Sequence, residues 1–165
     1  MTLEIHNFTQ NKINEKFFQK VAETVLKIVG LKDKIEISLA IVGDGRMRKL
    51  NKMYRGRNRV TDVLAFANKS VIPYLAKAFP RLKKGKDIEF IEPLDNVKRL
   101  GEVIICYPRA KKQAKRLKHS LGKELTILLI HGILHLLGYE DEKSEKQAKE
   151  MREMENKILK KVNYG

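Results

Sequence analysis

The chain has one cysteine, Cys106, so no internal disulfide can form. Its N-terminal M-T-L-E-I-H-N-F lacks a basic segment followed by a long apolar run, and no stretch approaches the length of a membrane span. A reducing, cytoplasmic setting with no membrane partner is therefore the expectation. Acids are scarce as well: 20 Asp and Glu stand against 35 Lys and Arg, a formal charge of +15. That excess favours a polyanionic partner, nucleic acid foremost, with mere solubility as the alternative. Internal repeats, low-complexity tracts and linkers are missing too. The 165 residues, 42% of them hydrophobic, accordingly read as one domain, 1–165, with an ordinary core.

A further absence sits inside the most informative stretch, Glu124 to Asp141, reading E-L-T-I-L-L-I-H-G-I-L-H-L-L-G-Y-E-D. His131 and His135 are four apart, so on a helix their rings project from nearly the same side and can share one metal ion. Gly138 can leave the helix in a left-handed conformation and bring Tyr139, Glu140 and Asp141 back beside the rings. These residues match the spacing H-E-x-x-H-x-x-G-x-x-H at both His, at the Gly and at the third ligand, where Asp141 replaces His. The Glu that serves a zinc peptidase as general base is lacking, and Gly132 stands in its place. One His on a Leu-rich helix is commonly satisfied by a backbone carbonyl. Two of them, followed by Gly and a carboxylate at this offset, point to a metal or catalytic site. His6 and His119 have no such company and read as surface or packing residues.

Around that stretch the elements follow from periodicity. Residues 2 to 6 suit a short strand, and Ile13, Phe17, Val21, Val25 and Ile28 mark an amphipathic helix between Asn11 and Val29, stopped by Gly30. Ile35 to Val42 alternates as a strand with one better-buried face. Asp44 can cap a helix whose apolar side carries Met47, Leu50 and Tyr54, and Arg55 to Arg59 form a basic loop. Thr61 to Phe66 reads as a buried strand. Residues 67 to 100 contain Pro73, Pro80 and Pro93, a basic R-L-K-K-G-K run and a possible strand D-I-E-F-I-E. So long a connection is either a functional flap or holds small elements of its own. Glu102 to Cys106 is another buried strand, and Pro108 opens a helix reaching His119 that carries Arg109, Lys111, Lys112, Lys115, Arg116 and Lys118 without one acid. Ser120 can cap the His-bearing helix. Ser144 with Gln147 forms a capping box before a last helix with Ala148, Met151, Ile158 and Val162. Several helices around a small sheet make a layered α+β or α/β domain, with the nearly all-apolar His helix at its centre.

The residues His131-Gly132-Ile133-Leu134-His135-Leu136-Leu137-Gly138-Tyr139-Glu140-Asp141 resemble the pattern H-G-x-L-H-L-x-G-Y-D-H of the YbeY family, bacterial metal-dependent endoribonucleases of rRNA maturation. Leu50-Asn51-Lys52-Met53-Tyr54-Arg55 is similar to the family's L-N-x-x-Y-R. Thr61 to Phe66 is similar to its T-D-V-L-S-F, and Leu100-Gly101-Glu102-Val103 to its L-G-D-I. The motifs keep their order along essentially the whole chain. Asp141 departs from the usual third His, Glu140 and Glu102 from Asp, and Ala65 from Ser.

This resemblance implies a metalloprotease-like (zincin-like) α+β domain, a small mixed β-sheet packed with helices around the His-bearing helix. It implies a single-strand-specific endoribonuclease acting on the 3′ end of 16S rRNA and in late quality control of the small ribosomal subunit. The implied metal is Zn2+, held by His131, His135 and Asp141; two His and a carboxylate also suit Ni2+ or Fe2+. Arg55 and His131 are the implied catalytic residues, with Arg55 holding a nonbridging phosphate oxygen. The expected RNA contacts are Arg55, Arg57 and Arg59 together with Arg109, Lys112, Lys115 and Arg116. Two other classes compete: a metallopeptidase or amidase, which Gly132 argues against, and a nonenzymatic RNA-binding ribosome assembly factor.

Overall fold

Strands and helices nearly alternate in the computed structural model, which describes residues 1–76 and 95–162. Their order is β1 (Thr2–Asn7), α1 (Glu15–Val29), β2 (Ile35–Val42), α2 (Asp44–Arg55), β3 (Val63–Ala67), a 3-10 turn (Lys69–Val71), α3 (Ile72–Leu75), β4 (Lys98–Cys106), α4 (Tyr107–Arg116), α5 (Leu121–Leu136) and α6 (Glu145–Leu159). Among the described residues the sheet has four strands in the order β1-β2-β4-β3. The first three run parallel, and β3 lies antiparallel at the edge, Val63 opposite Ile105 and Ala67 opposite Gly101. This is the mixed sheet expected of an α+β metalloprotease-like domain.

One face of the sheet carries the main core. Ile37, Leu39 and Ile41 of β2 and Val103 and Ile105 of β4 pack with α1, α5 and α6. The other face has a smaller cluster at one end, where Ala40, Val42, Ile104 and Cys106 meet Met47 of α2. The alternation in β2 suggested one buried face, but α2 covers the second face as well along residues 39 to 42. Glu36 and Ser38, beyond the reach of α2, stay partly exposed.

Several boundaries differ from the sequence reading for identifiable reasons. Helix α1 starts at Glu15, because Asn14 caps it by accepting the Phe17 amide. Asp44 is the first helical residue rather than the cap, which is Gly43; its Oδ1 accepts the Cys106 thiol instead, at 3.3 Å. Burial of that thiol pushes its pKa up to about 12. Strand β3 starts at Val63, whose amide is taken by the Asp62 carboxylate at 2.8 Å. Helix α4 stops at Arg116 because Lys118 adopts φ +56, and the amides of Lys118 and His119 bond the carbonyls of Lys115 and Ala114. No glycine announces this stop, so it was not legible in the sequence. The short elements between Lys69 and Leu75 occupy part of the long connection, whereas D-I-E-F-I-E and the R-L-K-K-G-K run lie outside the described residues.

Helix α5 is the centre of the domain. Ser120 caps it through the Lys123 amide, and ten of its residues, from Glu124 to Leu136, are buried. It packs tightly on the sheet at Gly132, where a Cβ would lie 2.5 Å from Val103 Cγ1. A larger residue would have to push strand and helix apart. His119 is a packing residue with a partner: its Nε2 meets the buried Glu124 carboxylate at 2.5 Å across the α4–α5 turn.

Candidate active site

The exit from α5 builds the site. Gly138 has φ +87; its amide bonds the His135 carbonyl, and the Tyr139 amide bonds that of Leu134. This paired pattern turns the chain sharply back, with the buried Tyr139 ring holding it down. Asp141 is thereby returned to the two rings. Nε2 of His131 and His135 are 3.0 Å apart, and Asp141 Oδ2 and Oδ1 lie 3.7 and 3.6 Å from them respectively. One donor atom from each residue falls within 4.8 Å of the others, so the three could hold one divalent cation.

Each ring is also held from behind. His135 Nδ1 donates to the Tyr139 carbonyl at 2.9 Å, so the same turn that returns Asp141 orients this imidazole. His131 Nδ1 meets Glu155 Oε1 of α6 at 3.1 Å. With both Nδ1 atoms so engaged, both Nε2 atoms face the shared centre, the arrangement by which outer carboxylates and carbonyls fix metal-binding His. Burial alone would lower the pKa of His131, but the Glu155 carboxylate, aided by Asp141 and Asp62, holds it above the usual imidazole value. His135 is lowered by burial and by the His131 charge. Of the two rings, His131 therefore holds a proton more readily than His135.

The triad opens on a cleft of about 740 Å³ that Arg55, Arg57 and Arg59 also line. Arg55 is oriented by the Ala65 carbonyl, to which its Nη2 donates at 3.0 Å, and its guanidinium lies 5.4 Å from the Phe66 ring centre. Asn51, buried in the apolar side of α2, secures the loop beyond it. Its carbonyl accepts the Arg57 amide at 3.3 Å, and its Nδ2 donates to the Arg59 carbonyl at 2.9 Å. Thus the expected residues Arg55, Arg57, Arg59, His131, His135 and Asp141 come together.

The other basic set does not join them. Arg109, Lys112, Lys115 and Arg116 are exposed on α4 and none lines the cleft. Ala110 and Ala114 take the inner face of that helix, which turns the cations outward. From the same helix Gln113 reaches toward the site, donating to Asp62 Oδ2 at 3.2 Å. Sequence reasoning missed Glu155 and gave Asn51 no role. Glu155 had a signal: it stands four after Met151 and three before Ile158, an acid on the core-facing stripe of α6.

Comparison with known proteins agrees with this geometry. The family described as "Endoribonuclease YbeY" matches residues 4–163. An Endoribonuclease YbeY of Aquifex aeolicus is 35% identical over 154 residues, covering 93% of this chain and 87% of the relative. That of Clostridioides difficile is 34% identical over 155 residues, covering 92% and 90%. The solution structure of TM1509 from Thermotoga maritima shares the fold, with a TM-score of 0.59 at 24% identity over 98% of this chain and 89% of that one. A match of this extent, over nearly the whole chain, places it in the endoribonuclease YbeY family.

Proposed function

We propose that this protein is a metal-dependent endoribonuclease of rRNA processing that cuts single-stranded RNA at the His131–His135–Asp141 centre. The observation that carries this reading is the convergence of a three-ligand metal set and three arginines on one cleft. Two imidazoles and a carboxylate favour Zn2+, with Ni2+ or Fe2+ as chemically close substitutes. A bound divalent ion supplies Lewis acidity, lowering the pKa of water and offsetting charge on a phosphoryl group. The chain supplies the rest. Arg55, pinned by Ala65, presents its remaining guanidinium donors to a nonbridging phosphate oxygen as charge builds. Arg57 and Arg59, held by Asn51, neutralise neighbouring phosphates. The small ribosomal subunit, with the 3′ end of 16S rRNA, is the proposed setting, in the cytoplasm.

Gly132 weighs against peptidase chemistry, since it occupies the place of a zinc peptidase's general-base Glu and a Cβ there would lie 2.5 Å from Val103 Cγ1. The test combines elemental analysis, metal titration and cleavage of rRNA precursors by the pure protein. Wild type is expected to bind one divalent ion and cleave; Asp141→Ala should lose affinity for the ion and cleave slowly. Equal metal stoichiometry and affinity in both proteins would remove Asp141 from the site. RNA bound but left uncut with metal present would favour a nonenzymatic assembly factor.

A further inference from the structure

Tyr54 does not do what its position on α2 suggests. It continues the inner stripe of that helix, four and seven residues after Met47 reaching Asn51 and Tyr54, and the first two are buried. The residue nevertheless remains 60% exposed, because at this point the stripe faces the cleft. Phe66 of β3, which also lines the cleft, packs against it with centroids 5.2 Å apart at 56°. The Arg55 guanidinium lies 5.4 Å from that same Phe66 ring. A supported aromatic ring with free surface, a cation beside it and the metal-ligand set thus share one cavity.

We infer that Tyr54, backed by Phe66, is a stacking platform for one unpaired nucleobase of the RNA, next to the phosphate that Arg55 holds. The inference rests on the nuclease reading of the cleft and adds the part of the substrate that reading leaves open. Every base offers a π face, so such a platform grips RNA without choosing a sequence. A base inside a duplex has both faces covered by its neighbours and cannot use the platform. Tyr54 therefore converts an arginine-lined cleft, able to attract any polyanion, into one that prefers single strands. Phe66 stiffens the ring by contact, and Arg55 fixes the adjoining backbone, so base and phosphate are held by groups in mutual contact.

Stopped-flow mixing of the zinc-loaded full chain with a short RNA carrying 2-aminopurine at successive positions tests this. Stacking quenches that fluorophore, and the quench is read before any cleavage. Wild type should quench strongly at one or two positions, and Tyr54→Phe should match it. Tyr54→Ala should lose the quench and raise the protein concentration for half-maximal single-turnover cleavage by roughly 10- to 100-fold, the scale of losing one stacked base. On a duplex of the same sequence Tyr54→Ala should change nothing. Phe8→Ala removes another exposed aromatic, one that packs under Arg46 outside the cleft, and should match wild type. Undiminished quench in Tyr54→Ala, or an equal loss in Phe8→Ala, overturns the platform. Because the quench needs no cleavage, a wild type that stacks RNA but never cuts it would sink the nuclease reading while leaving the platform standing.

Discussion

Two basic regions of this molecule look alike as strings of letters and differ in every physical respect. Arg55 to Arg59 are carried by the end of α2 and its loop, secured by the Ala65 carbonyl and by Asn51, and they share a cleft with His131, His135 and Asp141. The cations from Arg109 to Arg116 stand on the outer face of α4, away from that cleft. Charge attracts a phosphate backbone from either place. Chemistry at a phosphorus needs a donor held in a fixed direction at the reacting group, and of the two regions only the first lines the cleft.

The largest expected effect is at Arg55. Arg55→Ala should slow the cleavage step by roughly two to three orders of magnitude, the scale of losing one transition-state donor, while RNA binding changes far less. Lys there should rescue only in part, because it carries charge without the planar fork. Single-turnover cleavage at saturating protein, beside equilibrium RNA binding, checks both; a wild-type rate for Arg55→Ala would make the two basic regions equivalent. Next is Glu155 of α6, which does not line the cleft but holds His131 from behind it. Glu155→Gln should weaken metal affinity by about 10- to 100-fold, the usual cost of losing an outer partner of a metal-bound His, with the fold and melting temperature little changed. Competition with a chelating dye measures this directly.

Protons should compete with the metal at the cleft and nowhere else. His131, held above the ordinary imidazole value, is the ring whose protonation competes most with metal binding, whereas His135, held below it, takes up a proton less readily. As pH falls through the raised value of His131, apparent affinity should therefore drop by about tenfold per unit, with about one proton released per ion. Calorimetry in buffers of different ionisation enthalpy counts that proton. The smallest effect concerns α4. Charge reversal at Lys112, Lys115 and Arg116 should weaken binding to unrelated RNAs alike and flatten the salt dependence by about 0.7 in log-log slope for each lost contact. The cleavage rate at saturation should stay as in wild type; a loss there comparable to that of Arg55→Ala would break the distinction between the regions.

What the sequence determined by itself was local. His131, His135, Gly138 and Asp141 span eleven positions, and helix geometry with one left-handed residue suffices to bring them together, so their spacing foretold the centre that the fold displays. The central place of α5 was likewise legible, because a helix apolar on nearly all sides has nowhere else to go. Tertiary structure decided what depends on contacts between distant segments. Glu155 meets His131 across 24 positions, and Phe66 meets Tyr54 only because β3 lies beside α2; no local rule encodes either distance. Tyr54 shares the helical phase of Met47, yet it is exposed, because burial depends on whether an opposing surface exists, and at Tyr54 the helix faces the cleft. The roles of the two basic segments were divided in the same way: charge is a property of the residues, whereas a directed charge is a property of what surrounds them.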